Sequence, residues 1–416
     1  MRDETKWQSE LRRKRPEISF VKIIAVVFTV LAGGRLGAQA GGPCSGAQAG
    51  KVACLFPDVI TGAVQTVNPS FQLDPTMPLG TSVIATQLTS SLPMPAPSAG
   101  YFYQYDSNLG TVRAERQSYG PIFGERAETI GRHRFSFSFT SQRFVFNRLD
   151  GINLHDQVSE LSADGYVATN HFDHNLQIDQ QVVSGIYGIT DRIDVSVAVP
   201  FNTVDYRLGY SGTFRSPSTG ETVFTASGAG HRTAQGIGDI NTRVKGTIFR
   251  DEHTSLAVGA AYRFATGDAY NVLGAGAPGV RPFIAASALY KKVAPHINLG
   301  YLFNGKSVLA ADSILTGETR RIPSQFQYAA GADAGITDRF TLAFDLLGFE
   351  AIHADRLRSS PVGSLIRQSF NVTNGAAGFK ARIAGNLLIQ ANLLFALNEA
   401  GLRSRITPLV GLSYVH

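Results

Sequence analysis

Long apolar runs are what this chain most clearly lacks. Past the N-terminus none reaches the roughly 18 or more residues of a membrane-spanning helix, so a bundle of such helices is excluded. Charge is also scarce, at 17% of residues. The net +6 comes partly from Lys6, Arg12, Arg13, Lys14 and Arg15 at the N-terminus. No basic patch with interleaved aromatics follows, so no nucleic-acid partner is expected. There are two cysteines, Cys44 and Cys54, with no histidine nearby to complete a metal site. In an exported chain such a pair reads as a disulfide, the alternative being two free thiols. Closing so short a loop stabilises by about 2–3 kcal/mol in the chain-entropy view. No G-x-S-x-G elbow and no H-E-x-x-H occurs, and the nine histidines are scattered. Only His171 and His174 are near neighbours, and they read as polar rim residues. Neither a cofactor, a metal nor a catalytic set is expected.

What is present is alternation. Along Gly185–Phe201 (GIYGITDRIDVSVAVPF) a strand ends, turns, and restarts. Ile193, Val195, Val197, Val199 and Phe201 then share one face, and Asp194, Ser196, Ala198 and Asn202 the other. That is the period of a strand with one apolar and one polar side. Gly188-Ile189-Thr190-Asp191-Arg192 returns as Gly335-Ile336-Thr337-Asp338-Arg339, again followed by alternation.

A basic stretch ending near Lys22, an apolar one from Ile23 to Ala32, and Ala38-Gln39-Ala40 predict a signal peptide over 1–40, cut after Ala40. Residues 41–132 are rich in Gly, Pro, Ser and Ala. A short helix over Thr81–Leu92 and a small hairpin over 100–118 are predicted there. The region reads as a periplasmic arm, a plug, or a partly disordered linker. From residue 133 to 416 the alternation predicts twelve strands, at 133–146, 170–186, 192–208, 237–249, 255–266, 281–291, 296–304, 325–336, 340–350, 369–383, 387–398 and 405–415. The hairpin would make them fourteen if it joined. Connections alternate short and long, which fits short periplasmic turns and long outer loops. The predicted fold is all-β: a transmembrane antiparallel up-and-down barrel with an irregular N-terminal arm or plug, in an outer membrane of Gram-negative type. Strand ten needs a bulge near Asn374-Gly375, because Phe370 and Val372 have opposite parity to Phe379 and Ile383.

Parity places Asp194, Asp239, Arg243, Lys245, Arg263, Asp333 and Asp345 inside the barrel, joined by Lys380 and Arg382 given that bulge. They read either as ion pairs that fill the interior or as the lining of a solute path. Tyr262, Phe264, Tyr301 and Phe303 are placed in an interfacial girdle. Gly274-Ala275-Gly276-Ala277-Pro278-Gly279 matches G-x-G-x-x-G in letters only and is predicted to be a flexible outer loop.

The phrases GIGDINTRVKGTIF, YRFATGDAYNVLGAGAPGVRPFIAAS and PHINLGYLFNG, between Gly236 and Gly305, resemble an outer-membrane barrel family named after the meta-cleavage pathway of phenol degradation. So does YGITDRIDVSVAVPF. The wider group is similar to the fatty-acid and aromatic-hydrocarbon uptake barrels, whose N-terminal segment plugs the lumen. The resemblance covers roughly 171–416. It implies passage of small, often apolar molecules and assigns no residue. The chain departs from the group at 41–132 and at its end, Tyr414-Val415-His416, where barrels usually carry Phe or Trp. The expected function is a channel or transporter for small hydrophobic or aromatic molecules; a phospholipase- or protease-type enzyme and an adhesion barrel are the alternatives. Expected partners are outer-membrane lipid and lipopolysaccharide, the barrel-assembly machinery and a small hydrophobic solute.

Overall fold

The structure is a computed structural model that describes residue 44 and residues 48–74, 83–84, 86–88, 92–95, 102–106, 111–115, 118–163, 166–359 and 362–415. The predicted signal peptide and its cut after Ala40 lie outside the described residues. A helix, α1 (Leu55–Gln65), precedes the strands and is not among the elements predicted from the sequence. Residues 83–84 and 86–88 are helical, in line with the helix predicted over Thr81–Leu92. The strands are β1 (Phe102–Asp106), β2 (Thr111–Glu115), β3 (Phe135–Leu149), β4 (Ile152–Asn153), β5 (Gln157–Ala163), β6 (Tyr166–Gly188), β7 (Ile193–Arg215), β8 (Thr222–Ile237), β9 (Asn241–Arg250) and β10 (Thr254–Arg263). They continue as β11 (Gly279–Ala288), β12 (Val293–Asn304), β13 (Lys306–Ser307), β14 (Arg320–Arg321), β15 (Gln325–Thr337), β16 (Phe340–Ser359), β17 (Val362–Ala384), β18 (Leu387–Ala396), β19 (Leu402–Ser404) and β20 (Ile406–Val415).

A sheet in lipid must satisfy its backbone within itself, so its two ends have to meet. They meet at β3, which pairs with β20 on one side and β6 on the other. Twelve antiparallel strands close the ring, with β8 and β9 as successive stretches of one of them. All twelve predicted spans fall on these strands. The predicted hairpin forms as β1 and β2, but it makes a separate two-stranded sheet and does not join the wall.

The alternation of connections holds at one end, where turns 189–192, 251–253, 289–292, 338–339 and 385–386 are short. At the other end three predicted loops are corrected. Residues 147–169, between the first two predicted spans, are mostly strand: the end of β3, then β4, β5 and the start of β6, with β5 paired to β6. Residues 209–236 are largely β-ladder, since β7 runs to Arg215 and pairs with β8 through most of that stretch. Residues 351–368 likewise extend β16 and β17. Strands β6 and β7 have 23 residues each, whereas crossing a bilayer takes about 9–11. The extensions carry no lipid-facing pattern, so a search for membrane strands passes over them.

The outward row is apolar: Phe137, Phe139, Val244, Ile248, Ile284, Ile297, Phe344, Leu393, Val410 and Leu412 are all exposed. The inward row is buried and mixed: small or polar at many positions, apolar at others such as Phe144, Leu176, Ile178 and Leu394. Tyr262 and Phe303 face outward near the loop end, with Phe264 edge-on to Tyr262 at 4.6 Å and Tyr301 tilted against Phe303 at 4.7 Å. Tyr414 is exposed near the turn end. The predicted bulge at Asn374-Gly375 is absent, because β16 and β17 stay in register from Phe340–Ala381 to Ala351–Phe370. Phe370 and Val372 instead point inward and pack with Phe349, Ala351 and Ala354. Inside this barrel apolar side chains have a core to join, so parity need not break.

Candidate functional site

The lumen is filled by the N-terminal chain, at two levels. At the turn end, residues 118–131 run through the interior without regular structure. Irregular backbone at membrane depth survives only where protein satisfies its polar groups. Here side chains of the wall do so. Lys380 donates its Nζ to the carbonyls of Pro121 (2.6 Å) and Tyr119 (3.3 Å). Lys245 donates to those of Arg126 (2.9 Å) and Glu128 (2.8 Å). Asn298 both accepts from the Glu125 N–H and donates to its carbonyl, at 2.7 and 2.6 Å. Thr247 donates to the Ala127 carbonyl at 2.6 Å, and Ser287 accepts from its N–H at 3.1 Å.

The charges interlock with that backbone. Arg126 donates to Asp333 through Nε at 3.1 Å and again through Nη2, and Ser118 bonds the same carboxylate. Glu125 receives Arg243 at 2.5 Å and Lys245 at 3.2 Å, with Asp194 3.7 Å from Lys245. Asp345 bonds His296 Nε2 at 2.7 Å and accepts from the Phe123 N–H at 3.2 Å. Gly124 lies directly over this pair: a Cβ there would fall 2.1 Å from His296 Nε2 and 2.8 Å from an Asp345 oxygen. Only glycine lets the backbone come so near.

At the loop end, α1 lies against β8 and β7. Its close approach depends on Gly228 and Gly230, where a Cβ would sit 2.9 Å from Ala63 and 2.6 Å from Leu55 and Val59. Phe56 stacks on His174 at 6.0 Å and lies tilted against Phe172 at 5.1 Å. Cys44 and Cys54 are bonded, with Cα atoms 5.5 Å apart, just before the helix. Lys51 pairs with Asp268 at 2.8 Å. Asp58 lies 3.4 Å from Arg232, yet burial outweighs that partner and pushes its carboxyl above the ordinary range.

Between the two levels lies a cavity of about 300 Å³. Its wall is mixed. Arg243, Arg263, Arg281, Asn202 and Asn241 give polar groups, and Leu92, Met94, Phe123, Leu347 and Phe349 give apolar ones.

All seven inward residues named from parity are on the inner face and buried or nearly so. They do not form one constellation. Asp194, Arg243 and Lys245 gather around Glu125; Asp333 and Asp345 gather around Arg126 and His296. Asp239 and Arg263 sit 3.6 Å apart at the cavity's edge. Lys380 is buried without any bulge, and Arg382 is half-buried near the turn end. His171 and His174 fall on opposite faces of β6, so one ion cannot bind both.

The glycine-rich stretch at Gly274–Gly279 is not a flexible outer loop. Asp239 accepts the N–H groups of Ala275 (2.7 Å) and Gly267 (3.1 Å), and Ala275 and Ala277 are buried against Ala310 and Ile322. Small side chains let the loop fold in, and one carboxylate pins it.

The residues missed from sequence are Glu125, Arg126, His296 and Arg281. Parity alone would have found two: Arg281 aligns with inward Phe283, and His296 precedes outward Ile297. Glu125 and Arg126 lie in a segment without periodicity, so nothing local marked them.

No protein-family model matches the chain and no curated protein does, so the resemblance to the phenol meta-cleavage family rests on its sequence phrases alone. Solved structures of similar course include an outer-membrane channel from Pseudomonas putida F1, 14% identical over 70% of this chain and 98% of that one, with a TM-score of 0.44. A FadL homologue from Pseudomonas aeruginosa is 9% identical over 83% and 99%, with a TM-score of 0.35. A monoaromatic hydrocarbon channel, TodX lacking S2 and S3, is 11% identical over 70% and 92%, also at 0.35.

Proposed function

We propose that the protein is a plugged outer-membrane channel for small hydrophobic or aromatic molecules, with its short turns in the periplasm and its extended strands outside. The observation that carries this reading is the N-terminal chain inside the ring, at both levels, with a cavity of about 300 Å³ left between them. A barrel of twelve strands is narrow. Filled by its own chain it conducts only when part of that chain shifts. The apolar share of the cavity wall favours solutes with little charge. A smaller apolar pocket of about 40 Å³ under Val52, Ala53, Leu88 and Leu309 at the loop end would be the first contact for such a molecule.

The enzyme alternative finds no support in the buried pair His296–Asp345. His296 and Asp345 are roofed by Gly124, and no hydrogen bond joins a histidine ring to a serine hydroxyl among the described residues. The test is flux of an uncharged aromatic into proteoliposomes. Cysteines at Ala127 and Ala285, which pack together with Ala257, clamp the inner chain to β11 when oxidised. Flux is expected to fall on oxidation and return on reduction. Equal flux in both states would mean that the solute does not depend on this segment moving.

A further inference from the structure

The outer surface carries a second built feature, at the loop end of the wall. Where β20 begins and β18 ends, the wall above them is completed by β19 and residues 397–401. A groove of about 630 Å³ lies there, lined by Val145, Arg148, Leu397, Glu399, Arg403, Arg405 and Ile406 among others. Its lower part is apolar and open: Val145, Leu397 and Ile406 are 42%, 52% and 61% exposed, the last outward apolar residues of their strands. Its upper part is cationic. Arg148 and Arg403 are direct cross-strand partners, a placement in which like charges repel. Glu399 alone supplies negative charge, 2.5 Å from Arg148. Arg403 is only 4% exposed; it donates through Nη2 to the Thr373 carbonyl and Asn374, and its Nε has no partner. No ion pair holds Arg403 or Arg405 among the described residues. Elsewhere the same face is balanced, as where Arg143 meets Asp179 at 2.5 Å.

Three guanidiniums around one carboxylate leave the groove two positive charges in excess, at the rim where outward apolar residues stop. Guanidinium forks match phosphate oxygens. An apolar floor directly beneath suits an acyl chain attached to that phosphate, which a free anion would leave bare. We propose that this groove binds a phosphorylated lipid of the outer leaflet, its phosphate on Arg148, Arg403 and Arg405 and an acyl chain along Val145, Leu397 and Ile406. The proposal uses the orientation given above but not the conduction pathway, so binding and transport fail separately.

The test is native mass spectrometry of the full chain in detergent, titrated with bis-phosphorylated lipid A. One tightly held lipid per barrel is expected. Binding should weaken at least about tenfold in Arg148→Gln/Arg405→Gln, the size of losing one or two hydrogen bonds to a charged group. Both side chains are solvent-accessible, and a retained heat-resistant band on gels confirms the fold. Glu399→Gln should tighten binding, because it frees Arg148. Arg339→Gln, on a turn at the opposite end, should change nothing. Undiminished binding by the double variant overturns the proposal. So does equal binding of phosphatidylglycerol, or full displacement by millimolar inorganic phosphate.

Discussion

Arg126 and Asp333 meet inside the barrel with side chains 4% and 0% exposed. Removing one partner of such a pair leaves a buried charge alone, at a cost of about 3–5 kcal/mol. Arg126→Gln should therefore lower the urea midpoint of unfolding or release residues 118–131, seen as faster proteolysis near Ser118. Adding Asp333→Asn should recover part of the loss, since the orphaned charge goes too. No recovery would mean that the pair matters through shape alone. Gly124→Ala forces a Cβ onto His296, so it should also loosen the segment, while Gly62→Ala, with open space around it, should be near neutral. The wall's share of these contacts was legible in sequence: lipid makes one face of each strand apolar, so Asp333 and Asp345 had to point in. The inner-chain partners of Asp333, Arg243 and Lys245 were hidden, because Arg126 and Glu125 stand in a stretch whose conformation is imposed by the barrel and has no period of its own.

Helix α1 depends on two positions of β8 without side chains, Gly228 and Gly230. Gly230→Leu should prise the helix off β8 without breaking the β7–β8 ladder, read as rapid amide exchange over 55–65 and slow exchange retained in β7. Loss of exchange protection throughout the barrel would contradict this separation. Cys54→Ser should act in the same direction, by removing a closed loop worth about 2–3 kcal/mol. A short turn gives a milder case. Asp251 accepts the N–H groups of Thr254 (2.6 Å) and His253 (2.8 Å), which hold its carboxyl below the ordinary range. The turn's stabilisation is thus present above the unfolded value, about 3.9, and fades as pH falls through the lower folded value. Chemical-shift titration of Asp251 should show that lower midpoint, and Asp251→Asn should abolish it. Element boundaries were legible where alternation met lipid. They failed at 147–169, 209–236 and 351–368, where strands continue beyond the membrane, and at Phe370 and Val372, where an apolar interior imitates a lipid face.

At the scale of the molecule, a closed wall and an N-terminal chain within it divide two tasks. The ring closes its own edges; in the proposed function the inner chain sets what passes. The ring could be read from the sequence because every strand repeats one constraint. The filling could not, because Gln87 accepting from the Leu402 N–H and Gln142 donating to the Pro93 carbonyl join residues hundreds or dozens of positions apart, each unremarkable alone. The most direct measurement is single-channel conductance in planar bilayers of the full chain and of a chain lacking residues 41–131, both checked for a heat-resistant fold. The full chain should be closed or conduct in rare, small steps, and the shortened chain should hold a steady, larger current. Equal conductance from the two would show that the inner chain does not block the barrel.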